Sequence, residues 1–218
     1  MEDINNHAPQ FEEEVYHITI IENATVGSPV VQVAASDPDT AVLTYILTVN
    51  AYQDGSPLFS LDSVSGLLST DAPLDREFAE RYELLVSAVD SGYAVRLSTS
   101  APVIIDLIDL NDTPPQFDQS EYTFSLLRYL APDLYVATVT ATDSDLIGQS
   151  LEYTITEDTS GGLLAINSST GDIRTTRRVP EEAIGVYQLE VVVSDGEFVT
   201  AVSVVLDLTA EGDYCEGV

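Results

Sequence analysis

Carboxylates recur in this chain in pairs two residues apart: Asp37 with Asp39, Asp75 with Glu77, and Asp143 with Asp145. Where the backbone is extended, residues at that spacing present their side chains to the same side. Near the midpoint, Asp109-Leu110-Asn111-Asp112 crowds three oxygen-bearing side chains into four positions, followed by Thr113-Pro114-Pro115-Gln116-Phe117. Two prolines lack backbone donors and favour an extended run, so no interior strand continues through them. Such a joint is stiff, acidic and self-repelling unless a cation occupies it. An all-oxygen donor set suits a hard divalent ion, and calcium takes six to eight oxygens at roughly 2.3–2.6 Å. Zinc is disfavoured, because His7 and His17 stand apart from any cysteine or histidine cluster. The pairs lack the glycine and terminal glutamate of an EF-hand loop. A glycosidase acid and base is the competing use of paired carboxylates, but these acids are grouped at repeated positions, and the chain has no tryptophan to serve as a sugar platform.

Composition narrows the choice. The chain has 218 residues, with 7 Lys plus Arg against 37 Asp plus Glu, a formal net charge of −30. That balance argues against nucleic acid and against an anionic membrane surface as partners. Disorder is excluded by a hydrophobic content of 44% that falls in patterned runs. Cys215 is the only cysteine, so no internal disulfide forms, and it reads as a tail thiol separated from its partner. Met1-Glu2-Asp3 reads as a start placed inside a longer parent. No apolar run approaches the ~20 residues of a membrane span.

The elements that must position the acids repeat. Asp3 to Phe11 matches Asp109 to Phe117 at an offset of 106, and Tyr16 with Tyr122, Asp37 with Asp143 and Asp39 with Asp145 keep it. Gly66 with Gly171 and Asp90 with Asp195 follow at 105. A period held over this many landmarks marks two units of about 105 residues, with expected bounds 1–112 and 113–218. Short runs rich in Val, Ile, Tyr and Thr, punctuated by Gly, Pro, Asp and Asn, predict seven strands per unit. In the first unit these are 15–21, 30–35, 43–49, 59–61, 67–70, 82–89 and 96–108. In the second they are 122–127, 135–142, 151–156, 163–166, 173–176, 187–193 and 198–208. The expected fold is all-β: two tandem seven-stranded Greek-key β-sandwiches of immunoglobulin-like type. The recurring acids fall at strand ends.

At these residues the chain resembles the cadherin extracellular repeat. The carriers are Glu22-Asn23, Asp37-Pro38-Asp39, Leu74-Asp75-Arg76-Glu77, Ala88-Val89-Asp90-Ser91-Gly92 and the stretch from Asp109 to Phe117. The resemblance covers both units and implies three Ca2+ ions at the central linker. The first unit would supply Glu22, Asp75 and Glu77. The linker would supply Asp109, Asn111 and Asp112 through side chains, and Leu110 and Thr113 through carbonyls. The second unit would supply Asp143, Asp145, Asp195 and a loop carbonyl near Gly148. Thr113 stands where the family has asparagine, a change of little weight if that position ligates by its backbone.

The outer joints differ. At the N-terminal end Asn6 replaces the linker aspartate and His7 the asparagine, while Asn5, Asp37, Asp39 and Asp90 remain; with His7 they form the expected set for one ion. At the C-terminal end the pattern fails: Arg128-Tyr129 stands where Glu22 leads, Pro180-Glu181-Glu182 where Asp75 leads, and Asp207-Leu208-Thr209-Ala210-Glu211 has no Asn-Asp. An arginine in place of a bridging carboxylate opposes a divalent cation. The second unit is expected to meet its successor without calcium, or to be the last cadherin repeat.

The resemblance implies an extracellular, calcium-dependent adhesion glycoprotein, not an enzyme. It places the pair in the stalk of a long, non-classical cadherin or protocadherin on a single-pass plasma-membrane protein, with no direct membrane contact by this segment. The lack of tryptophan removes the docking residue that some cadherins use. Partners would be neighbouring repeats and a homophilic or heterophilic cadherin. The alternative is a protein-binding or lateral-dimerisation module using the calcium-free C-terminal region. Asn23-Ala24-Thr25, Asn111-Asp112-Thr113 and Asn167-Ser168-Ser169 match the glycosylation pattern; Asn111 is expected to face metal, and Asn167, on a turn, is the best candidate.

Overall fold

The computed structural model of the chain describes residues 5–53, 56–92, 95–125, 131–145, 150–179 and 184–208. Gly148, Arg128, Tyr129, residues 180–182, residues 209–211 and Cys215 lie outside the described residues. Backbone contacts divide the chain into two units, Met1–Leu110 and Asn111–Val218. All regular structure among the described residues is strand.

In the first unit the strands are β1 (Gln10–Phe11), β2 (Tyr16–Ile21), β3 (Pro29–Gln32), β4 (Ala35–Ser36), β5 (Leu43–Val49), β6 (Tyr52–Gln53), β7 (Ser56–Pro57), β8 (Phe59–Leu61), β9 (Leu67–Thr70), β10 (Arg81–Asp90) and β11 (Ser98–Ile108). A four-stranded sheet runs β2-β11-β10-β5 and a three-stranded sheet β3-β9-β8. β2 joins β11 in parallel, while the other pairings in these two sheets are antiparallel. Alternation dictates what is buried: Tyr82, Leu84, Val86 and Ala88 of β10, and Ala101, Val103, Ile105 and Leu107 of β11, face the core with Val33, Phe59 and Leu68. Each large apolar side chain so buried contributes about 1.5–3 kcal/mol.

The second unit repeats this plan with β12 (Gln116–Phe117), β13 (Glu121–Ser125), β14 (Tyr135–Thr138), β15 (Ala141–Thr142), β16 (Glu152–Asp158), β17 (Leu164–Ile166), β18 (Asp172–Thr175), β19 (Val186–Ser194) and β20 (Val199–Asp207). Its sheets are β13-β20-β19-β16 and β14-β18-β17. Each unit is therefore a sandwich of seven principal strands, as the sequence pattern predicts.

One expectation needs correction. Residues 30–35 and 135–142, each read as one strand, are split in two. In the first unit β3 pairs with β9 and β4 pairs with β1; in the second, β14 pairs with β18 and β15 with β12. The chain changes sheets at Val33 and Val139, both fully buried. Tyrosine hydroxyls satisfy backbone groups at the crossing. Tyr16 OH donates to Ala34 O at 3.1 Å, and Tyr45 OH accepts from Ala35 N at 3.0 Å. In the second unit Tyr122 OH accepts from Thr140 N at 3.2 Å and Tyr153 OH accepts from Ala141 N at 3.0 Å. Buried backbone groups need such partners. Glycine is required beside the crossing: Gly66 and Gly171 have φ of 76° and 71°, and a Cβ there would sit 2.5 Å from Val33 O and 2.1 Å from Val139 O.

Candidate metal centre

Register brings the acids of the first unit together. β2 and β11 are parallel neighbours with Ile21 opposite Ile108, so Glu22 and Asp109, the residues that follow, leave the sheet at the same end. Glu22 N–H donates to Ile108 O at 3.2 Å. The loop between β9 and β10 brings Asp75 and Glu77 to the same place, and carboxylate oxygens of Glu22, Asp75 and Glu77 lie within 4.8 Å of one another. Glu22 is 1% exposed. Its Oε2 accepts Arg76 N–H at 2.7 Å and its Oε1 accepts Leu110 N–H at 2.6 Å. Asp75 Oδ1 accepts Phe78 N–H at 2.9 Å, which holds the loop as a turn.

Sequence reasoning assigned no role to Arg76. Its guanidinium lies 3.3 Å from Asp109 Oδ1 and 3.5 Å from Glu80 Oε1. Its place between Asp75 and Glu77 was the available signal: a cation inserted among carboxylates.

At the start of the second unit, Asp145 Oδ2 accepts the N–H groups of Asp112 and Thr113 at 2.8 and 2.5 Å. Asp143 Oδ1 accepts Asp145 N–H at 2.9 Å, and Asp195 Oδ1 accepts those of Glu197 and Phe198 at 2.7 and 2.6 Å. These bonds use one oxygen of each aspartate. Asn111 Oδ1, Asp143 Oδ2 and Asp195 Oδ2 are buried with no hydrogen-bond donor among the described residues. Burial, together with the neighbouring Asp145 and Asp195 carboxylates, pushes the Asp143 carboxyl up. Burial also acts upward on Asp195, but the N–H groups of Phe198 and Glu197 and the Asn111 carboxamide outweigh it and hold that carboxyl low. Buried acceptor oxygens without donors cost free energy, and a hard cation is the partner their chemistry fits.

The N-terminal end of the first unit has the same construction. Asp39 Oδ2 accepts the N–H groups of Asn6 and His7 at 2.9 and 2.8 Å, and Asp37 Oδ1 accepts Asp39 N–H at 2.7 Å. Asn5 Nδ2 donates to Asp90 Oδ2 at 2.8 Å. Among the described residues no donor meets the buried Asn5 Oδ1 and Asp37 Oδ2, as none meets their counterparts Asn111 Oδ1 and Asp143 Oδ2. Two differences stand out: Asp90 Oδ2 has the Asn5 donor that Asp195 Oδ2 lacks among the described residues, and His7 places its Nδ1 3.1 Å from both Asp39 oxygens. The N–H groups of Asn6 and His7, with the imidazole, draw the Asp39 carboxyl below its ordinary range.

Comparison with known proteins shows the family of both units. A family model described as "Cadherin domain" matches residues 16–108 and 122–209. Protocadherin Fat 2 of Mus musculus is 34% identical over 225 residues, covering 99% of this chain and 5% of that protein. The protocadherin-like wing polarity protein stan of Drosophila melanogaster is 34% identical over 211 residues, covering 89% of this chain and 6% of that protein. This chain thus spans about a twentieth of the length of these relatives. Among solved structures, mouse Cadherin-23 EC22-24 is similar with a TM-score of 0.76 at 28% identity, covering 93% of this chain and 67% of that one. Protocadherin Gamma B7 extracellular cadherin domains 1-4 give a TM-score of 0.80 at 28% identity, covering 97% and 53%.

Proposed function

The chain belongs to the cadherin family, whose repeats are adhesion modules and not enzymes, and on that premise we propose that it is a calcium-stiffened segment of an extracellular adhesion stalk. Three calcium ions are assigned to the linker. Glu22, Asp75 and Glu77 serve from the first unit; Asp109, Asn111, Asp112 and the carbonyls of Leu110 and Thr113 serve from the linker; Asp143, Asp145, Asp195 and the Gly148 carbonyl serve from the second. A fourth ion is assigned to Asn5, Asp37, Asp39 and Asp90, with His7 at its edge. The parent is a single-pass plasma-membrane protein, and its partners are neighbouring repeats and another cadherin.

One observation carries the proposal: Asn111, Asp143 and Asp195 each bury an acceptor oxygen that no donor among the described residues meets. The protein's own N–H groups hold the other oxygens, so the carboxylates are oriented before an ion arrives. The ion supplies only positive charge. Ions bound by ligands from both units through the short linker oppose independent motion of the two. They stabilise by RT ln(1 + [Ca]/Kd), about 2.7 kcal/mol at a hundredfold excess over Kd. With the Kd of roughly 10⁻⁴–10⁻³ M common to extracellular modules, the linker is stiff outside cells and slack inside.

Calcium titration followed by thermal unfolding, on the native sequence and on Asp112→Ala, tests this. The expected result is a calcium-dependent rise in Tm that the variant largely loses. A Tm indifferent to calcium in the native sequence overturns the reading.

A further inference from the structure

We infer that Asn167 carries an N-linked oligosaccharide. This rests on the extracellular reading above, because the modification occurs in the secretory pathway. Asn167 is exposed on the turn between β17 and β18, as are Ser168, Ser169 and Thr170. Its backbone closes the turn: Asn167 N–H donates to Asp172 O at 2.8 Å, and Gly171 N–H donates to Asn167 O at 3.0 Å. Its side-chain oxygen accepts the N–H groups of Ser169 and Thr170 at 2.9 and 3.2 Å, an Asx turn.

The first unit shows how much of this the turn itself needs. There Asp62 stands at the same place, and its Oδ1 accepts Val64 and Ser65 N–H at 3.1 and 2.7 Å. An acceptor oxygen is enough, and aspartate supplies it. The amide nitrogen of Asn167 is surplus to the turn, and it has no hydrogen-bond partner among the described residues. The turn borders an open groove of about 390 Å3, lined by Pro132, Ile166, Arg174 and Thr176 among others, which leaves room for a first sugar. Asn111 is the contrasting case: its Oδ1 is buried and its carboxamide engages Asp195, so a sugar there would break the cluster.

In the reaction, Asn167 Nδ2 forms a bond to C1 of an oligosaccharide carried on a lipid diphosphate. The C1–O bond to the diphosphate breaks, the diphosphate leaves with the electron pair, and Nδ2 gives up one of its two protons.

The test is glycopeptide mapping of the chain secreted from animal cells behind a secretion signal. Enzymatic release of the glycan in heavy-oxygen water would mark the attachment residue. The expected result is an isotope-labelled aspartate at position 167, lost in Ser169→Ala. That variant keeps the residue-169 N–H and hence the turn, so lost modification is not lost folding. Secreted, folded protein with position 167 unmodified overturns the inference, whatever Asn23 carries. Failure of the adhesion-stalk reading is separately visible as a missing calcium response.

Discussion

Asp145 holds the backbone N–H of Asp112 on one carboxylate oxygen at 2.8 Å, and the same oxygen takes the N–H of Thr113. Asp39 repeats the relationship with Asn6 and His7. The carboxylate thus has two separable roles, an acceptor for the linker backbone and a negative charge for an ion. Asp145→Asn retains an oxygen for the N–H groups and removes the charge. Stability without calcium is expected to change by less than about 1 kcal/mol. The calcium midpoint is expected to rise by about ten-fold, about 1.4 kcal/mol. Unfolding curves with chelator and with calcium check both halves.

Glu22→Gln should behave in the opposite way. Both oxygens of Glu22 are committed to N–H donors, and the residue is 1% exposed. Glutamine offers one oxygen and turns an amide donor toward the other N–H. Leaving a buried donor unmet costs about 1–3 kcal/mol. Denaturant unfolding in chelator should show that loss in the first unit; unchanged stability would mean these bonds do not hold the loop.

Gly171→Ala should be among the most damaging small substitutions in the second unit. A Cβ would sit 2.1 Å from Val139 O, a backbone atom at the sheet crossing, in a residue whose φ is 71°. Left-handed strain of about 1–2 kcal/mol adds to an overpacking cost of about 1–3 kcal/mol. Gly66→Ala, where the same contact is 2.5 Å, should cost less. Thermal unfolding of the two variants gives the order.

Acid should weaken the second unit partly through Asp118. Thr140 Oγ1 donates to Asp118 Oδ2 at 2.6 Å and Tyr122 OH donates to its other oxygen; these hydroxyls hold the carboxyl below its ordinary range. A folded-state pKa below the unfolded one contributes stability that is present above the unfolded value, about 3.9. That contribution is lost as pH falls through the folded value. Between pH 6 and pH 3, Asp118→Asn should therefore lose less stability than the native sequence. An identical acid profile would remove Asp118 from the account.

The sequence by itself determined the repeat, the strands and the residues at their ends. Alternation along Tyr82 to Ala88 is a local, two-residue signal, and the recurrence of Asp37-Pro38-Asp39 as Asp143-Ser144-Asp145 needs no structure to be seen. The all-oxygen character of the acidic positions likewise follows from residue type. Tertiary structure alone decided which partners these elements take. Val33 and Val139 look like strand interiors because alternation reports burial, not the sheet to which a residue belongs. Glu22 meets Leu110 across 88 residues because β2 and β11 pair in parallel, and pairing over that distance leaves no local mark. The division of each aspartate into one oxygen bound to backbone and another without a donor depends on ångström-scale loop geometry. So does the approach of Arg76 to Asp109, which comes from the way a loop folds back and which the order of residues does not encode locally.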